Sequence, residues 1–156
     1  MNISISADPR YGVIGRAANQ FRLGMGIIGD DILVFLYRYD ELAPADAAPV
    51  PIAKIKDALK AGSTAQWMAW KLARQQLIET SKAGLTLTDK GKSAGRGLIR
   101  SHRLWETYLC DVMGCCEADV HRHAHHFEHV TDPRLQQALM DVTGNPDQDP
   151  HHREIP

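Results

Sequence analysis

Four metal-binding side-chain types, His121, His125, Glu128 and His129, recur at intervals of four, seven and eight within one helical pattern. That spacing puts all four on one helix face. Val120, Ala124 and Phe127 form the adjoining apolar stripe, so the polar face borders a core and does not lie opposite it. A face of this kind constrains the fold strongly, because helical bundles build interior metal sites in this way. The preceding helical pattern carries His102 and Glu106, a second pair of ligand types one turn apart. A single histidine is more often a surface or satisfied core residue than a ligand. A stripe of four with a matching pair points to metal. His123 and His126 fall off the stripe and are read as solvated surface. The donor set holds imidazole and carboxylate without sulfur, which suits Mn, Fe, Co or Zn better than Cu(I).

Charge is divided along the chain. Residues 1–100 hold 14 Lys/Arg against 9 Asp/Glu, a balance of +5, and residues 101–156 hold 4 against 10, a balance of −6. All eight histidines lie in the acidic part. A basic front suits phosphate, and a back rich in carboxylate and imidazole suits a cation. There is no apolar run near the ~18 residues of a membrane span and no signal-peptide pattern. Three cysteines, two of them adjacent, argue against a disulfide framework and for a cytoplasmic setting.

The pattern predicts a mainly α chain. Residues 1–28 read as a leader, in which Arg10, Arg16 and Arg22 face one acid, Asp8. Asp30 and Asp31 suit a helix start, followed at helical spacing by Ile32, Leu33, Phe35, Leu36 and Tyr39. After a Pro/Ala-rich loop from Ala43 to Pro51, one helix carries Ile52, Ile55, Ala58 and Leu59. Gly62 breaks it, and the next helix runs from Ser63 or Thr64 to about Ile78. The turn Lys82-Ala83-Gly84 and the alternation Leu85–Thr88 predict a short wing. Three helices and a wing are the order of a winged helix-turn-helix, assigned to residues 29–91.

Residues 92–156 read as an all-helical metal-binding and dimerisation domain. One helix is expected from Lys92 to about Val112, a second from Glu117 to about Val130, and a third from Asp132-Pro133, closed by Gly144-Asn145-Pro146. The last ten residues are expected to be extended. Leu104, Trp105 and Tyr108 suggest apolar surface shared between two copies. His125 to His129 also spell H-x-x-E-H, an inverted zincin signature. A peptidase of that kind needs a further downstream ligand and a cleft, and only 27 residues follow, so an enzyme is not expected.

The segments "LTLTDKGKSAGRGLIRSHRLWETYL", "VHRHAHHFEHVTDPRLQQAL" and "GNPDQDPHHREIP" together resemble the diphtheria-toxin-repressor and manganese-transport-regulator family over roughly residues 30–156. The resemblance implies a winged helix joined to a helical domain, a homodimer, and two divalent ions per chain, Mn or Fe first and Zn or Co next. It implies an ancillary position at His102, Glu106 and His121 and a primary position at Asp31, His125, Glu128 and His129. His125 stands where cysteine or glutamate is usual, and Val34 stands where manganese-type members have glutamate. It also implies metal-dependent repression of uptake genes, with no organic substrate.

On the DNA side the resemblance places Ser63, Thr64, Gln66, Trp67 and Lys71 on the recognition helix. Trp67 and Trp70 are poor readers of base edges, so selectivity is expected to be weak. The stretch "ADPRYGVIGRAANQFRLGMGIIGDDIL" also resembles the juxtamembrane stretch of metal ABC-transporter permeases that carry this module. The alternative is therefore a regulatory domain of a permease, in the same chain or a separate one, at the inner membrane face.

Overall fold

The computed structural model describes residues 13–42, 48–115 and 117–156; the expectations for residues 1–12, 43–47 and Cys116 lie outside the described residues. The order is α1 (Val13–Leu42), α2 (Ile52–Leu59), α3 (Gly62–Arg74), β1 (Ile78–Thr80), β2 (Leu85–Leu87), α4 (Asp89–Asp111), α5 (Glu117–Glu128) and α6 (Pro133–Val142). None of the described helices is long and apolar enough to cross a membrane.

The first helix departs from expectation. It does not start at Asp30 but at Val13, and both aspartates sit in its interior. Packing accounts for the turns just before Asp30. Met25 and Ile28 join the core that holds Ile32, Leu33 and Leu36, so the apolar stripe continues backwards at helical spacing. Gly29 lets α1 approach α3, since a Cβ there would stand 3.1 Å from Met68 Sδ.

The second departure is the end of α3, which stops at Arg74 and not at Ile78. Leu77 N donates to Leu72 O at 3.0 Å and Gln76 N to Ala73 O at 3.0 Å, with Gln76 at φ 59°. This left-handed closure is a Schellman stop. It frees Ile78 to pair with Leu87 in an antiparallel hairpin, β1 against β2. Ser81 Oγ accepts from Ala83 N and Gly84 N within the turn, and Val50 bridges to Leu85. Ile55, Met68, Leu72, Ile78 and Leu85 close the core beneath the wing.

Wing and α4 are fastened together. Thr88 caps α4 by accepting from Gly91 N at 3.0 Å, and its hydroxyl donates to Gln76 O at 2.7 Å. The helix consequently starts at Asp89, ahead of the expected Lys92. Its first turns pack Ala94 and Leu98 on the winged-helix core, and further along Ile99 and Leu104 are fully buried. Full burial of Leu104 removes it from the expected surface between copies. Trp105 stacks on Phe127, ring centroids 4.6 Å apart, and its Nε1 donates to Thr131 Oγ1 at 2.8 Å. Asp132 caps α6 through Leu135 N, as its sequence predicts.

The tail is folded, not extended. Gln148 bridges to Glu154, and buried Asp149 accepts from His151 N and Arg153 N at 2.9 Å each. Two arginines of α4 hold it: Arg100 donates to Pro156 O and Arg103 to Glu154 O. Arg103 Nη2 also meets Glu41 Oε2 at 3.2 Å, joining α1, α4 and the tail in one network.

Candidate metal centre

All seven expected ligand residues come together, in two groups. Asp31, His125, Glu128 and His129 form one, and His102, Glu106 and His121 the other; in each, one donor atom per residue lies within 4.8 Å of the rest. In the first group α1 presents Asp31 to α5. The second group faces α4 to α5.

Metal bonds from imidazole or carboxylate run to about 2.0–2.2 Å, so donors spaced this way need little contraction to close on an ion. The donor chemistry fits, and so do the unanswered atoms. His129 Nε2 and Glu106 Oε2, one in each group, are buried without a hydrogen-bond partner among the described residues. Leaving such atoms unpaired is costly, and an ion would satisfy them.

Glu128 connects the two groups. It is 3% exposed; its Oε1 lies 3.1 Å from His125 Nδ1 and 3.5 Å from His129 Nε2. Its Oε2 lies 2.5 Å from His102 Nδ1. With Nδ1 donating to Glu128, His102 turns Nε2 toward Glu106 Oε1 at 3.2 Å and His121 Nδ1 at 3.0 Å. That is the tautomer in which a carboxylate orients a ligating histidine.

Two neighbours escaped the spacing argument. Asp30 Oδ2 lies 3.1 Å from His129 Nδ1, orienting that ring from α1. His151 Nε2, brought back by the folded tail, lies 3.7 Å from Glu106 Oε1. Two adjacent aspartates were the only signal for the first, and nothing local marked the second.

Protonation follows from this geometry. Burial alone would raise Glu106, but the hydrogen bonds and charges of His102 and His121 hold its pKa down at about 2. Glu128 is also lowered, burial being outweighed by His102, then His129 and His125. Burial disfavours charge on His102 and His129, yet carboxylate partners raise both above the usual 6.5. Asp31 is raised by burial, against the pull of His125 and His129.

The lowered carboxylates stabilise the metal-free fold above the ordinary value near 4.5, and that contribution is lost as pH falls through about 2 for Glu106. The raised histidines stabilise it below 6.5, and that contribution is lost as pH rises through their folded values. The metal-free protein is therefore expected to be most stable between pH 4.5 and 6.5. An ion must displace the histidine protons, so Mn(II) affinity should climb by at least about tenfold from pH 6 to pH 8. Calorimetric titration in two buffers of different ionisation enthalpy should show protons released; a flat profile would count against histidine ligation.

The five residues expected to meet DNA all lie on α3. Ser63, Gln66, Trp67 and Trp70 are exposed on α3, while Thr64 and Lys71 are half-buried. Trp67 is 48% and Trp70 55% exposed. Lys71 Nζ lies 5.7 Å from the Trp67 ring centre and Arg74 lies 5.0 Å from that of Trp70.

Residues 88–156 match the family model of the iron dependent repressor, metal binding and dimerisation domain. The chain is similar to a probable metal transport system membrane protein of Chlamydia trachomatis, 40% identical over 85 residues, covering 54% of this chain and 19% of that protein. It is similar to the iron-dependent repressor IdeR of Mycobacterium tuberculosis, 32% identical over 98 residues, covering 62% of this chain and 43% of the relative. It also superposes on a manganese-dependent transcriptional repressor in complex with manganese, with a TM-score of 0.72 and 32% identity over 82% of this chain and 58% of that one. The chain thus spans less than half the length of these two sequence relatives. Residues 88–156 therefore match the metal-binding and dimerisation domain of the iron dependent repressors, and the winged-helix and helical segments together resemble the manganese-dependent repressor in fold.

Proposed function

We propose that the chain is a transition-metal sensor controlling metal uptake, whose winged helix binds operator DNA when divalent ions fill both clusters. One observation carries the reading: the first cluster draws Asp31 from α1, His125 and Glu128 from α5, and His129 from the turn that directly follows α5. An ion there ties the winged helix to the helical segment, and by binding that arrangement better than an open one it shifts the population toward it. Residues 29–91 and 92–156 are the two working segments on this reading. Two ions per chain, Mn(II) or Fe(II) before Zn(II) or Co(II), agree with the sulfur-free donors and with the manganese held by the structural relative.

A homodimer is part of the proposal. Val112, Met113, Phe127 and Val130 are 47%, 60%, 39% and 69% exposed, Phe127 lying against the Trp105 ring, and apolar side chains left in solvent suit an isologous contact. A peptidase reading finds no support in Glu128. The H-x-x-E-H mechanism needs that glutamate as a base on water, and here it is buried among three histidines.

The test is electrophoretic. Protein loaded with Mn(II) is expected to retard a palindromic duplex from a metal-uptake promoter, and metal-free protein is not. Trp67 offers one indole N–H where a bidentate amide would discriminate, so selectivity over scrambled duplex is expected to reach no more than about three orders of magnitude. Lys54, Lys56, Lys60, Lys71 and Arg74 should give a steep loss of affinity with salt. Binding that ignores both metal and sequence would overturn the DNA output.

A second reading would then stand, favoured by the two exposed tryptophans of α3 and the likeness to a chlamydial membrane protein. In it, the same closure regulates a metal permease from the cytoplasmic face of the membrane.

A further inference from the structure

Between α1 and α2 on one side and α5 on the other lies a cavity of about 920 Å³, a volume that suits a small-molecule site. Its outer wall is apolar: Val34, Phe35, Tyr39 and Leu42 come from α1, and Ala58 and Leu59 from α2. Three cationic residues, Arg38, Lys54 and Arg122, also line it. Two of them are engaged. Arg122 meets Asp119 at 3.3 Å, and Lys54 Nζ sits 4.5 Å from the centre of the Tyr39 ring. Arg38 is different. Its Nε is buried without a hydrogen-bond partner among the described residues, and burial pushes its pKa down.

The charge balance points the same way. With Arg122 answered by Asp119, the lining sets two carboxylates, Asp31 and Glu128, against the two cations Arg38 and Lys54. A divalent ion on those carboxylates leaves an excess of two positive charges. A low-dielectric wall strengthens the field such a lining exerts on an anion.

We propose that this cavity binds a small amphipathic organic anion, with a carboxylate on Arg38 and an aromatic or short aliphatic body against Phe35, Tyr39 and Leu42. The ligand is an effector and not a substrate. The cavity's far wall is Arg122, His125 and Glu128 of α5, so a ligand that fills it bridges α1 and α5 and favours the same closed arrangement as an ion in the first cluster. Each must then tighten the other by an equal factor.

The probe is 4-fluorobenzoate, followed by fluorine NMR line broadening on the full chain, with neutral 4-fluorobenzamide as its control. Binding of the acid is expected at millimolar concentration or below, with the amide at least about tenfold weaker. Arg38→Met should lose about tenfold for the acid and little for the amide. Leu42 is 89% exposed, so Leu42→Ser should fold normally while weakening both probes severalfold.

Saturating Zn(II), diamagnetic where Mn(II) would itself broaden the fluorine line, should tighten the acid severalfold. That arm rests on the metal-sensor reading, whereas the metal-free arm does not. Acid binding without metal binding would sink only the sensor. Equal affinity for acid and amide, no change in Arg38→Met, or no broadening up to about 10 mM would overturn the anion site. So would a dimer dissociated by Leu42→Ser with no probe uptake, which would make the cavity a contact between copies.

Discussion

Glu128→Gln is expected to abolish ion binding at the first cluster and weaken it at the second. The substitution keeps volume but removes the charge that His102, His125 and His129 all face. At the first cluster a ligand carboxylate is lost, and affinity for Mn(II) should fall by at least about a hundredfold. At the second, Glu128 touches no ion directly; it orients His102 through Nδ1. Loss of an orienting partner typically costs about 10- to 100-fold, and a neutral amide that still accepts a hydrogen bond should sit near the lower end. Competition titration against a fluorescent chelator, with native mass spectrometry counting the ions, separates the two steps. Undiminished binding of the first ion would remove Glu128 from the ligand set. An unchanged second ion would show that the clusters act independently.

The larger effect on stability is expected from Gly91→Ala. A Cβ at this position would stand 1.8 Å from Leu77 O and 2.9 Å from Leu77 C. Both are backbone atoms, so no side-chain rotation relieves the clash. Leu77 O is also pinned, accepting from Thr88 N at 3.1 Å and from Thr88 Oγ1 at 3.2 Å. Moving it breaks the α4 cap and the seam between wing and helix together. A loss of about 3–5 kcal/mol is expected, in the range where strain and a lost cap combine. Gly97→Ala is the control, because nothing lies within 4 Å of a Cβ there. It should be neutral or stabilising by up to about 1 kcal/mol, since alanine favours helix over glycine. Equilibrium urea unfolding reads both; matching midpoints for the two variants would refute the close-approach argument.

The site was more legible in the sequence than the fold's edges. His102, Glu106, His121, His125, Glu128 and His129 announce themselves through helical periodicity, a local property any reader of the chain can count. Asp31 does not, since nothing local ties it to α5. Its place came from family resemblance, and the structure brings it into the same cluster. Asp30 and His151 were missed because their approach depends on long-range packing: α1 against α5 for one, and the tail turned back by Asp149 and Arg103 for the other. The start of α1 was misplaced because Gly24, Gly26 and Gly29 lower helix propensity, while the burial that outweighs them lies in α3. At the end of α3, Gln76 takes the left-handed position usually signalled by glycine, so the sequence carried no visible stop.

The unbroken course of α1 has a mechanical consequence. Its cluster residue, Asp31, stands 18 positions from its first turn at Val13, which at ~1.5 Å per residue is an arm of about 27 Å. If the ion acts as a fulcrum at Asp31, a rotation of about ten degrees sweeps the far end through roughly 5 Å, most of a helix pitch. A sub-ångström adjustment of ligand distances is thereby geared up into a displacement that any body attached to that end must follow.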